Sequence, residues 1–84
     1  MTYTYVPHGV CSKQMNIELD ENGTIKDCEI VGGCNGNTHG ICRLVVGMNA
    51  EDAIKKLKGI DCRGRGTSCP DQLSNALEEA LEKI

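Results

Sequence analysis

The chain contains no phenylalanine and no tryptophan, and its only aromatic side chains are Tyr3 and Tyr5. A core must therefore be assembled from Leu, Ile, Val, Met, Ala and Cys, most of which bury less area than an aromatic ring. No stretch approaches the roughly 18 to 20 apolar residues of a membrane-spanning helix. The opening MTYTYVPHGV also lacks the charged start and apolar run of a secretory signal. Together these absences point to a cytoplasmic protein without membrane association. Positive charge is scarce as well. Nine Lys and Arg against 12 Asp and Glu leave a formal net charge of -3, the opposite of what a bulk nucleic-acid binder needs to neutralise phosphates. With no repeat, low-complexity tract or linker, the 84 residues form one domain, 1–84, too short for a two-domain enzyme.

What the chain does have is cysteine: six in 84 residues. Small domains are often stapled by a metal or supported by a partner, because area burial alone barely offsets ordering entropy. In a reducing compartment thiols stay reduced, which directs attention to metal ligation or thiol chemistry before a disulfide framework.

The pattern of the chain is α+β. Thr2 to Val6 reads as a short strand stopped by Pro7-His8-Gly9. Cys11 to Asp20 alternates, with Met15, Ile17 and Leu19 on one face, and Glu21-Asn22-Gly23 supplies a hairpin turn to a return strand over Thr24 to Val31. The apolar parity of that strand slips between Ile25 and Cys28, which predicts a bulge near Lys26-Asp27.

From Gly32 the period becomes helical. Asn37 or Thr38 caps a first helix running to Gly47, with Ile41, Leu44, Val45 and Met48 as its apolar positions. Asn49 caps a short second helix, with Asp52 as a box-like partner and Gly59 as terminator. Ser68-Cys69-Pro70 starts a last helix whose stripe is Leu73, Ala76, Leu77, Ala80, Leu81 and Ile84. The predicted architecture is a three-stranded antiparallel sheet covered on one face by three helices.

Four cysteines lie at element ends, where distant parts of a chain converge. Cys11 opens a strand, Cys34 sits in a Gly-flanked loop before a helix, Cys62 lies in Asp61-Cys62-Arg63-Gly64-Arg65-Gly66, and Cys69 starts the last helix. A helix N-terminus or a neighbouring arginine is the setting in which a thiol acts as thiolate, the form that ligates metal or attacks. Cys28, in register with Ile30, and Cys42, inside the first helix, read as core. No CxxC pair is present, so neither a zinc ribbon nor a thioredoxin-like motif applies. His8 and His39 are secondary ligand candidates, read first as solvated or capping residues. A different chemistry is offered by Arg63, Arg65, Thr67 and Ser68, a Gly-rich stretch feeding a helix start that suits a phosphate or nucleotide. Its bland counterpart is a charged, solvated connection.

Residues Thr67-Ser68-Cys69-Pro70-Asp71 spell TSCPD, and the chain resembles a stand-alone member of the TSCPD domain family. That family is best known as a cysteine-rich domain at the C-terminus of some adenosylcobalamin-dependent ribonucleotide reductases. The resemblance implies a link to deoxyribonucleotide synthesis, with a ribonucleotide reductase or its reductant as partner, but the chain is too short to carry that reaction itself. A more distant likeness covers Cys11 to Lys83, whose order of hairpin, Gly-Cys loop, helices and final Cys-headed helix is similar to U-type iron-sulfur scaffold proteins. That likeness places cluster ligands on or near Cys11, Cys34 and Cys69, although Ser12, Lys13 and Ser68 stand where the scaffold carries its Asp and His. Cys62 completes a four-sulfur set fit for zinc or an iron-sulfur cluster. The rival expectation is a thiol relay in which Cys69 attacks and Cys62 resolves, delivering reducing equivalents to a reductase.

Overall fold

The computed structural model describes residues 1–10, 12–32, 35–61, 64 and 66–84, with Asn35 described by its backbone alone. Three strands, β1 (Thr2–Tyr5), β2 (Ser12–Leu19) and β3 (Ile25–Gly32), precede three helices, α1 (Asn35–Val45), α2 (Ala50–Leu57) and α3 (Cys69–Leu81). The strands form one antiparallel sheet in the order β1-β2-β3. The α+β architecture expected from the alternation and helical spacing is the one observed.

Strand alternation decides which face is covered. Tyr5, Met15, Ile17, Leu19, Ile25, Cys28 and Ile30 are buried on one side, while Lys13, Glu18, Lys26 and Glu29 face solvent. The register steps between Glu18↔Asp27 and Leu19↔Ile25. Lys26 is thus the extra residue of a bulge, where the break in apolar parity placed it. The β2–β3 turn closes through Gly23, whose φ of 81° is left-handed and suits a residue without Cβ.

Helix α3 supplies the other half of the core. Leu73, Ala76, Leu77 and Ala80 are all fully buried, a stripe at i, i+3, i+4 and i+7. It packs on β2 and β1, and α2 packs on α3. Its start lies by the beginning of β2, where Ser12 approaches Cys69. Its end lies by the β2–β3 turn, where Leu81 bounds the space beside Gly23. The helix therefore runs along β2 in the same sense.

Helix α1 packs on β3 with one departure from the expected stripe. Its buried positions are Thr38, Cys42 and Val45, while Leu44 is 77% exposed. At 100° per residue, positions 38, 42 and 45 share one face and position 44 lies about 120° from its centre. The helix is also entered two residues earlier than Asn37, at Asn35, and ends at Val45 with Gly47 at φ 93°. Asn49 caps α2 as expected, but its side chain accepts from the Glu51 amide, one residue short of the anticipated Asp52 partner.

The end of the sheet opposite Cys69 is held by backbone. Ile25 donates to the Met48 carbonyl, Gly47 to that of Ile25, and Ala50 to that of Gly23. These bonds clasp the hairpin to the α1–α2 junction.

Leu77→Ala is expected to lower unfolding stability by about 2–5 kcal/mol, because the residue is fully buried and its removal leaves a cavity that the surrounding core fills only in part. Urea unfolding followed by circular dichroism checks this through a lower midpoint at unchanged slope.

Candidate functional site

Four of the five residues at the head of α3, Thr67, Ser68, Pro70 and Asp71, form a capping device around Cys69. Ser68 stands at the N-cap in extended backbone, and its Oγ accepts from the Asp71 amide at 3.1 Å. The same hydroxyl donates to the Ile60 carbonyl at 2.5 Å. Cys69 and Pro70 occupy the first two helical positions, where the missing proline N–H leaves no intrahelical bond unmade. Asp71, third in the helix, does not close a box back onto Ser68. Its carboxylate accepts instead from the Thr67 hydroxyl at 2.6 Å and from the Gly59 amide at 2.7 Å. The segment leaving α2 is thereby fastened to the start of α3 from both sides.

Gln72 completes the arrangement. It is buried, accepts from the Tyr5 hydroxyl and the His8 amide at 3.0 Å each, and donates to Thr67 Oγ1 at 2.9 Å. One side chain thus joins the end of β1, the loop after it and the TSCPD turn. Its sequence signal is positional: Gln72 lies four residues before Ala76 on the buried side of α3, and a polar residue there needs partners. Among the described residues no buried side-chain nitrogen or oxygen lacks one.

Cys69 is partly buried and unpaired, with Ser12 Oγ 3.5 Å from its sulfur. Ser12 is paired across the ladder with Gly32. Three segments therefore meet at this end: the first residue of β2, the last of β3 and the first of α3. The Ile60 carbonyl joins them through its bond to Ser68. Each meeting residue is covalently close to a candidate ligand: Ser12 follows Cys11, Gly32 precedes Cys34 by two positions, and Ile60 precedes Cys62 by two. Cys11, Cys34 and Cys62 themselves lie outside the described residues. Among the described residues no group of three His, Cys, Asp or Glu side chains is placed to hold a metal ion. His8 and His39 are both exposed. His39 lines the same pocket as Cys28 and Cys42.

Of the phosphate candidates, Arg63 and Arg65 also lie outside the described residues. The hydroxyls of Thr67 and Ser68 are engaged within the protein, as above. The Asp61 carboxylate accepts from the Gly64 amide at 2.6 Å and from the Gly66 amide, so an internal anion already faces these backbone donors. Cys28 and Cys42 are buried in the core, as their register indicated. Their proximity to each other was not legible from sequence.

A model of the TSCPD domain matches residues 1–81, and the chain belongs to that family. No curated protein and no solved structure matches it. No helix among the described residues is long and apolar enough to cross a membrane.

The Thr67 hydroxyl, then the Gly59 amide, hold the Asp71 carboxyl below its ordinary range, with Lys58 adding attraction. Its folded pKa is thus lower than its unfolded one. The stabilisation is complete above the unfolded value of about 3.9 and is lost as pH falls through the lower folded value. Asp71→Asn is expected to cost roughly 1 kcal/mol at neutral pH, after solvent screening, and to make the acid limb shallower. Asp20, also shifted down by its turn amides, keeps its share. Thermal unfolding of both proteins between neutral and acid pH measures this.

Proposed function

We propose that this TSCPD domain is a metal-binding accessory domain in which Cys11, Cys34, Cys62 and Cys69 supply four sulfur ligands to zinc or an iron-sulfur cluster. The observation that carries the reading is the meeting of Ser12, Gly32, Ile60 and the head of α3 around Cys69. Four segments remote in sequence, each bearing a cysteine within two residues of the meeting point, are what a closed site requires. Four thiolates complete a tetrahedral zinc shell with no position left for water, the hallmark of a structural site; the same donor set suits a cluster. The resemblance of the sequence to U-type iron-sulfur scaffolds, carried by the order of its Gly-Cys loop and Cys-headed last helix, is the reason a cluster stands beside zinc as the occupant.

Such a site fits a small domain without large aromatics. Ligation couples to folding because thiolates must be gathered and deprotonated, and the binding energy is then folding energy. In this reading the domain works in the cytoplasm with a ribonucleotide reductase or the reductant that serves it, in deoxyribonucleotide synthesis, as the resemblance carried by its TSCPD motif implies. Its part there is to present a metal-stabilised surface rather than to perform the reduction.

Protein purified without added metal is expected to carry zinc or iron in fixed ratio to chain, measured by elemental analysis together with an optical spectrum. Cys69→Ser should lose most of that metal, while Cys42→Ala should keep it and lose stability instead. Cys62 decides against the redox rival. As a ligand it resists alkylation until a chelator is added. Chelator-independent labelling, with a Cys62–Cys69 disulfide that forms on mild oxidation and opens with reductant, overturns the metal reading in favour of a thiol relay.

A further inference from the structure

The two cysteines that sequence assigns to the core carry a second chemistry, independent of the metal reading. The Cys28 thiol, on β3, donates to Cys42 Sγ, on α1, across 2.9 Å. That is about 0.9 Å longer than a disulfide bond. Both sulfurs are reduced and free. They are 9% and 7% exposed and form part of the wall of a surface pocket of about 240 Å³ that is also lined by Glu29, Ile30, His39 and Arg43. A pair of thiols sealed in a core would be inert packing; this pair lies in the lining of an opening large enough to admit part of a small molecule.

We propose that Cys28 and Cys42 form a reversible dithiol–disulfide site, oxidised by a low-molecular-weight disulfide that enters the pocket past His39 and Arg43. Those two side chains are exposed and offer N–H donors to the carboxylates such a disulfide carries. In the first step the Cys42 sulfur, as thiolate, attacks one sulfur of the small disulfide. A Cys42–small-molecule mixed disulfide forms and one small thiolate leaves, taking up a proton. In the second step the Cys28 thiol gives its proton to solvent and its sulfur attacks Cys42 Sγ. The Cys28–Cys42 bond forms and the second small thiolate leaves. The protein loses two electrons and two protons, and the small disulfide takes them up to become two thiols. The order of attack follows the hydrogen bond: donation from Cys28 raises its own pKa and lowers that of Cys42, which also receives the Ile30 amide.

The bond would staple α1 to β3, closing a loop of about fifteen residues that contains Cys34. Cross-linking this segment in the unfolded chain is expected to raise the melting temperature on the order of 10 °C.

The test uses the full chain treated with glutathione disulfide, quenched in acid and alkylated in denaturant. The expected result is loss of two alkylatable thiols and of the mass of two hydrogen atoms, both restored by a dithiol reductant, with a higher melting temperature before reduction. Cleavage after Glu29 separates Cys28 from the peptide that holds both Cys34 and Cys42, and fragmentation of the linked peptides between Gly36 and Ile41 identifies which of the two carries the bond. The link should persist in Cys34→Ser and vanish in Cys28→Ser and Cys42→Ser. Wild-type protein alone suffices to overturn the proposal. It falls if Cys28 and Cys42 both remain alkylatable after oxidation, if each stops at a mixed disulfide with glutathione, or if the link joins either of them to Cys34.

Discussion

Everything at the cysteine end depends on where α3 sits. Its buried stripe of two leucines and two alanines lies on β1 and β2, and α2 lies on it in turn. The alanines let backbone approach backbone, which is how a core without phenylalanine or tryptophan reaches interior density. That seating sets the position of the first turn of the helix, and with it the Cys69 sulfur. Tyr3 and Tyr5, the only aromatics, reinforce it from β1: each spends its ring on the core side and its hydroxyl on α3, at Glu79 and Gln72 respectively. The Glu79 contact raises the Tyr3 pKa, so at ordinary pH the phenol keeps the proton that makes the bond.

The TSCPD motif becomes intelligible as local mechanics. A serine satisfies an otherwise orphaned helix amide, a proline occupies a position that asks for no N–H, and an aspartate reaches outward to tie down the preceding segment. The cysteine between them is the one residue of the five with no capping duty. Its thiol is partly buried, with the Ser12 hydroxyl beside it.

Much of the fold was legible. Strict alternation over Met15, Ile17 and Leu19, the broken parity at Lys26, and the i, i+3, i+4 stripe from Leu73 to Ala80 each reflect a periodicity imposed by burial on one side. Leu44 was misjudged because a short helix with several apolar residues has more than one plausible inward face, and only packing on β3 selects Cys42 over it. The cap at Asn49 was visible but its partner was off by one, since extended caps reach either the second or the third helical amide. The gathering of four cysteines expected from element ends falls on Cys11, Cys34 and Cys62, outside the described residues, and on Cys69, which lies by Ser12. The Cys28–Cys42 approach and the Gln72 hub depend on inter-element register, which no local pattern encodes.

The sheet is anchored asymmetrically. At one end the hairpin is clasped to the α1–α2 junction by three backbone hydrogen bonds; at the other, side-chain caps and a cysteine sulfur do the joining. Backbone bonds of this kind survive a change of ligand or oxidation state, whereas sulfur contacts do not. Opening should therefore be polarised, starting where β2 begins and α3 begins and stopping short of the clasp. Such a domain has a fixed base and a labile rim. Amide hydrogens near Gly23 and Ala50 would report global unfolding, while those near Ser12 and Asp71 would report local opening of the rim.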